Sequence, residues 1–83
     1  GPPALVVEIL SPSTAVRDRS VKARRYAAAG VPHYWLVDIE NQHIECLRLA
    51  PEGYRRAAAA RGTDPLIHPD WPGLQIDLTD LWR

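Results

Sequence analysis

Leu5-Val6-Val7-Glu8-Ile9-Leu10 is a short apolar run that contains one carboxylate, and Ser11-Pro12-Ser13 ends it. A run of branched aliphatic residues this long is typical of a strand that is covered on both faces in a parallel or mixed sheet. Alternation places Glu8 on the same face as Val6 and Leu10. An unpaired buried carboxylate costs several kcal/mol, so Glu8 must be paired, hydrated at a cleft, protonated or bound to a metal ion.

The residues after this strand predict a helix and a second strand. Ser13 or Thr14 can cap a helix that runs to about Ala29, and Gly30 supplies the left-handed residue that ends it. Residues 34–38 form the next apolar run. A strand, a helix and a strand with short connections make a right-handed crossover, which predicts that the two strands are parallel.

The rest of the chain predicts antiparallel strands. Residues 43–49 alternate and fit a hairpin with residues 34–38, and residues 54–60 fit a further strand although four alanines there favour helix. Residues 74–78 also alternate, and a short helix is expected from Thr79. With 83 residues, the chain predicts one α/β domain over residues 1–83, with a mixed sheet.

Composition excludes several classes of protein. A hydrophobic fraction of 46% without an apolar run of membrane-spanning length, and without a signal-peptide pattern, predicts no membrane association and a cytoplasmic location. The single cysteine, Cys46, cannot form an internal disulfide, and we interpret it as a small buried apolar residue.

Charge is unevenly placed although the net charge is zero. The helical segment holds a basic cluster, and the last twenty residues hold four acids without Lys or Arg between Asp64 and Asp80. A basic helix face can bind a polyanion such as DNA, but it can equally be the solvated side of an amphipathic helix. The candidate phosphate contacts are Arg17, Arg19, Arg24 and Arg25.

Candidate catalytic residues are few. The sequence has no phosphate-binding glycine loop, no serine elbow and no histidine pair at metal-ligand spacing, and we interpret His33, His43 and His68 as surface or hydrogen-bonded residues. Glu8 at a cleft could ligate Mg²⁺, with Lys22 stabilising charge on a phosphate. The competing interpretation is a Glu8–Lys22 or Glu8–arginine pair that only holds helix to sheet.

Several motifs carry a resemblance to a known family. They are Ala4-Leu-Val-Val-Glu8-Ile-Leu-Ser11-Pro12-Ser13, then Asp18, Lys22, Tyr26, Gly30-Val31-Pro32, Tyr34-Trp35-Leu36-Val37-Asp38 and Pro72-Gly73-Leu74-Gln-Ile-Asp77-Leu78. In order and spacing they resemble the Uma-two family of bacterial restriction endonucleases, in the PD-(D/E)xK nuclease superfamily. The resemblance covers nearly the whole chain.

The resemblance implies a restriction-endonuclease-like mixed sheet flanked by helices, which hydrolyses DNA phosphodiesters with Mg²⁺. The metal-binding and catalytic glutamate of the family corresponds to Glu8. The usual lysine two residues later is replaced by Leu10, and Lys22 on the helix is the candidate that supplies the charge, with Asp18 positioned to pair with it.

The sequence also departs from the family pattern. Ala4 stands where members often carry aspartate, and the strand that bears the first metal-binding aspartate has no counterpart in these residues. We therefore expect a partial domain that holds half of a metal site and is a poor nuclease alone. An N-terminal segment or a second copy of the chain would complete the sheet; the alternative is an inactive relic that serves as a binding module.

Overall fold

A computed structural model describes the backbone of residues 1–10 and 15–82, and the side chains of residues 1–10 and 20–82. It confirms the predicted α/β class. The elements in chain order are β1 (Leu5–Leu10), α1 (Ala15–Ala28), β2 (His33–Asp38), β3 (His43–Ala50), β4 (Gly53–Arg61), β5 (Leu66–Ile67), β6 (Gln75–Ile76) and a 3₁₀-helix (Thr79–Trp82).

Four strands form a mixed sheet in the order β1-β2-β3-β4. β1 and β2 are parallel, whereas β2, β3 and β4 pair in antiparallel fashion, so the predicted crossover and hairpin are both confirmed. The four alanines lie in β4, because pairing along β3 outweighs their helix propensity. A β-bulge between Cys46 and Leu47 shifts the register of this pairing.

The C-terminus of α1 follows from Gly30, as the sequence predicts. Gly30 has a φ of 79°, in the left-handed region. Its amide donates to the Ala27 carbonyl, and the Val31 amide donates to the Tyr26 carbonyl at 3.1 Å. These two bonds are those of a Schellman motif, which satisfies carbonyls that the helix leaves free and directs the chain into β2. The predicted caps Ser13 and Thr14 lie outside the described residues.

The C-terminal segment, residues 62–82, covers one face of the sheet over β2, β3 and β4. This face is the main core, and Cys46 lies in it with no exposed surface, which confirms its interpretation as a buried apolar residue. The segment is tied to the sheet by the indole nitrogen of Trp82, which donates to the Gly62 carbonyl at 2.7 Å. The buried members of the core are Trp35, Val37, Ile44, Cys46, Ala60, Leu66 and Leu78.

β1 differs from its prediction as a strand covered on both faces. Among the described residues it pairs only with β2 and lies at the sheet edge. Three apolar side chains of β1 point to the same face as the main core but remain exposed: Leu5 by 38%, Val7 by 49% and Ile9 by 60%. The core cluster on that face includes residues of β2, β3 and β4 but none of β1. The prediction of two covered faces is therefore wrong for these residues, because the C-terminal segment packs over the neighbouring strands instead.

Candidate active site

Glu8 lies on the face of β1 that packs toward α1. Along β1 the side chains alternate between exposed and half-buried, and Val6, Glu8 and Leu10 are the half-buried set. The parallel crossover places α1 over this set, because the helix joins β1 to its neighbour β2. The acid singled out from sequence therefore faces the helix and is set beside Leu36 of β2 in the strand register.

Two side chains of α1 contact the Glu8 carboxylate. The Lys22 Nζ atom lies 3.3 Å from Oε2, and the Tyr26 hydroxyl donates to Oε1 at 2.7 Å. Lys22 and Tyr26 are four residues apart and therefore share one face of the helix. The structure thus brings together Glu8 and Lys22, the two residues that the sequence proposes as catalytic.

Tyr26 is a member of this site to which the sequence analysis assigned no role beyond its place among the family motifs. Its hydrogen bond to Glu8 raises the pKa of the phenol, because loss of the proton would set a second negative charge beside the carboxylate. Its ring also makes an edge contact with Tyr34, with centroids 5.1 Å apart. Tyr26 is therefore a fixed hydrogen-bond donor that orients Glu8.

The Glu8 carboxylate retains capacity for a further ligand. Its side chain is 20% exposed, and each oxygen makes one of the described contacts although each can accept two. Hard carboxylate oxygens of this kind are the protein ligands that Mg²⁺ uses. Within the described side chains, Glu8 does not belong to a group of three or more metal-ligating residues.

The candidate DNA-contacting arginines divide into two pairs. Arg24 and Arg25 are exposed on the last turns of α1, and Arg24 lines a groove of about 390 Å³ between the helix and the sheet with Ser20 and Tyr54. The side chains of Arg17 and Arg19 lie outside the described residues, as does Asp18, the predicted partner of Lys22.

A second cluster lies on the opposite face of the sheet, at the start of β2. One ligand atom from each of His33, His68 and Asp70 lies within 4.8 Å of the others. His68 is only 2% exposed, so it is not a surface residue; its Nδ1 atom accepts from the Asp70 amide, whereas its Nε2 atom has no hydrogen-bond partner among the described residues. Sequence reasoning missed this cluster because His33 and His68 are far apart in the chain.

The sequence comparisons place this chain in a known family. The Uma2 family, described as "Putative restriction endonuclease", matches residues 1–79. A search of curated proteins finds no significant match. No helix within the described residues combines the length and apolarity needed to cross a membrane. Because the match spans almost the whole chain, which has the mixed sheet expected of a restriction-endonuclease-like fold, the protein belongs to the Uma2 family.

Proposed function

We propose that the chain is part of a Mg²⁺-dependent endonuclease that hydrolyses DNA phosphodiester bonds, with Glu8 as metal ligand and Lys22 as the catalytic cation. The observation that supports this most directly is the placement of one carboxylate and one ammonium 3.3 Å apart, at the half-buried face between β1 and α1. Family membership supports nuclease chemistry independently of this geometry.

The donor set fits magnesium through Glu8. Mg²⁺ keeps several waters and takes one or two protein carboxylates together with substrate phosphate, and it would supply Lewis-acid activation of water and neutralisation of phosphate charge. Glu8 offers hard oxygen donors at a partly exposed position. This one carboxylate would hold Mg²⁺ weakly, which agrees with the expectation that the chain alone is a poor nuclease.

Lys22 and Tyr26 have separate roles in this proposal. The Lys22 ammonium carries three N–H donors, and the contact with Glu8 uses one, which leaves donors for the oxygens of a phosphodiester as negative charge builds there. Lys22 is 41% exposed, so substrate can reach it. Tyr26 donates to the other Glu8 oxygen and holds the carboxylate in orientation, so it is a positioning residue.

DNA binding is proposed through the basic end of α1. Arg24 and Arg25 are exposed there and can pair with backbone phosphates, and Arg17 and Arg19 extend the same basic segment in the sequence. Since the chain has no net charge, attraction to DNA must come from this local cluster. Binding by four arginines would weaken steeply with salt, by a slope of about 0.9 per phosphate contact.

The exposed edge of β1 supports the proposal that further residues complete the sheet. Leu5, Val7 and Ile9 are apolar and exposed, and β1 pairs on one side only among the described residues. A second copy of the chain, or another part of the protein, would cover this edge and bring a second metal-binding acid to Glu8. A cytoplasmic location stays a prediction from composition.

The experiment uses Mn²⁺ as a paramagnetic probe of the Mg²⁺ site, because NMR line broadening detects weak binding. We expect Mn²⁺ to broaden amide signals of β1 and the middle of α1 in the wild-type chain, and Mg²⁺ to reverse the effect. Glu8→Gln should abolish the broadening. The matched control is Glu52→Gln, which alters an exposed glutamate that is paired with Arg55 on β4.

A plasmid-nicking assay with Mg²⁺ tests the chemistry. We expect slow nicking that is lost in Glu8→Gln, lost in Lys22→Met and partly kept in Lys22→Arg. If Mn²⁺ broadening and nicking are both absent, or if neither depends on Glu8, the nuclease proposal is wrong. Salt-dependent DNA binding with no dependence on Glu8 would instead favour the alternative, an inactive relic that serves as a binding module.

A further inference from the structure

The cluster of His33, His68 and Asp70 joins the sheet to the C-terminal segment. His33 begins β2, whereas His68 and Asp70 follow β5, so the cluster ties two distant parts of the chain together. The three ligand atoms lie within 4.8 Å of one another on the face of the sheet opposite Glu8. It is therefore separate from the candidate active site in position and in the chemistry of its donors.

Two ring nitrogens in this cluster are buried without a partner among the described residues. They are Nδ1 of His33 and Nε2 of His68. Buried polar atoms are nearly always hydrogen-bonded, and for the His33 nitrogen an ion that completes the site would supply the partner. His68 is only 2% exposed, so bulk water does not reach its ring.

The surrounding residues hold the donors in place. The Asp70 amide donates to Nδ1 of His68 at 3.0 Å, which locates the proton of a neutral ring on Nε2. Arg48 binds both Asp70 oxygens, at 2.7 and 2.5 Å, and each oxygen can accept one more contact. Trp71 packs on both imidazoles, with ring centroids 4.5 Å from His33 and 4.3 Å from His68.

We propose that His33, His68 and Asp70 form a binding site for a divalent transition-metal ion of the Zn²⁺ class, with water as a fourth ligand. Two imidazoles and a carboxylate are a donor set typical of zinc, whereas Mg²⁺ prefers oxygen ligands alone. Zn²⁺ bound at about 2.0–2.2 Å sets tetrahedral donors roughly 3.3 Å apart. The three donor atoms must therefore move closer together when the ion binds. His33 is half-buried and the Asp70 side chain is 32% exposed, so both side chains have room to move.

The His68 ring can ligate the ion through Nδ1 without moving a proton, because the ring proton is on Nε2. The Asp70 Oδ2 atom lies 4.0 Å from Nδ1, so the two donors are already close together. The Asp70 amide would give up its hydrogen bond to Nδ1 when the ion binds. The bound ion would fasten β2 to the C-terminal segment.

The test is a titration of the 83-residue chain with Co²⁺, whose visible absorption reports four-coordinate binding at zinc sites. We expect one Co²⁺ per chain, displaced by Zn²⁺, and a Zn²⁺-dependent rise in Tm. His33→Ala and Asp70→Asn should each weaken binding by about tenfold or more and remove the rise in Tm. His33 is preferred to buried His68, since His33→Ala leaves the core intact.

Two control variants make the result specific. His43→Ala removes a histidine on the other face of the sheet and should bind as the wild type does. Glu8→Gln should also leave Co²⁺ binding unchanged, which separates this site from the proposed Mg²⁺ site. The inference is overturned if no visible band forms, or if His33→Ala binds Co²⁺ as tightly as the wild type.

Discussion

Removal of the Tyr26 hydroxyl should measure how strongly the helix holds Glu8. Tyr26→Phe deletes the donor of the 2.7 Å hydrogen bond and keeps the ring that contacts Tyr34. A hydrogen bond to a charged group contributes about 1.5–3 kcal/mol. Because water can partly replace the donor at this 20%-exposed carboxylate, we expect the free energy of unfolding to fall by about 1–2 kcal/mol.

The assay is thermal and urea unfolding of the chain, followed by tryptophan fluorescence. For a domain of this size, a loss of 1–2 kcal/mol corresponds to a fall in Tm of roughly 5–15 °C. The second arm of a double-mutant cycle is Glu8→Leu, which removes the acceptor. In that background Tyr26 has lost this partner, so Tyr26→Phe should cost less than about 0.5 kcal/mol.

Two results would refute this reasoning. If Tyr26→Phe costs the same in the wild-type and Glu8→Leu backgrounds, the contact contributes nothing and Glu8 is not oriented by Tyr26. If Glu8→Leu alone costs several kcal/mol, Glu8 is mainly a structural residue. We instead expect Glu8→Leu to cost no more than the Tyr26 hydrogen bond, about 1–2 kcal/mol, because Lys22 is 41% exposed and can return to water, while nicking activity is lost.

Three further predictions address other parts of the fold. Burial raises the pKa of the Cys46 thiol to about 12. Above about pH 8.5 the thiol ionises in the unfolded chain but stays protonated in the folded chain. The free energy of unfolding of the wild type should therefore fall, by up to about 1.4 kcal/mol per pH unit, relative to that of Cys46→Ala. Gly30→Ala should lower the free energy of unfolding in urea by about 1 kcal/mol, because alanine disfavours the left-handed backbone at this position. The added Cβ meets no other atom, so no clash adds to this cost, and Gly1→Ala should cost nothing. Val7→Lys should weaken self-association of the chain, measured by analytical sedimentation, whereas Ile67→Lys, which changes an exposed residue of β5, should not. A wild-type chain that stays monomeric would contradict pairing of two copies through β1.

Local patterns in the sequence were sufficient for the strands and the helix of the first half. The apolar run at residues 5–10, the Gly30 signal and the alternation at 43–49 each reflect physics that acts within a few residues. The Glu8–Lys22 contact followed from the same rules, because a crossover helix must pack on the strands it connects. Tyr26 stood on the same helical stripe, four residues after Lys22, and that spacing was the signal for its contact with Glu8.

Long-range placement was harder to predict. The position of β1 at the sheet edge depends on which elements cover each face, and the apolar run by itself resembles a fully covered strand. His33 and His68 meet because the segment after β4 folds back over the sheet, and β5 and β6 have only two residues each. Strands that short leave no periodic pattern, so the sequence carried no local signal for this cluster.

The register of β2 connects the two sites physically. His33 and Tyr34 are consecutive residues of β2 and therefore point to opposite faces, one into the histidine cluster and the other toward Tyr26 beside Glu8. A slip of one residue in β2 would exchange these side chains between faces and disrupt both sites together. Point changes on a single face leave that register intact, so Glu8→Gln should spare transition-metal binding and His33→Ala should spare the Glu8–Lys22 contact.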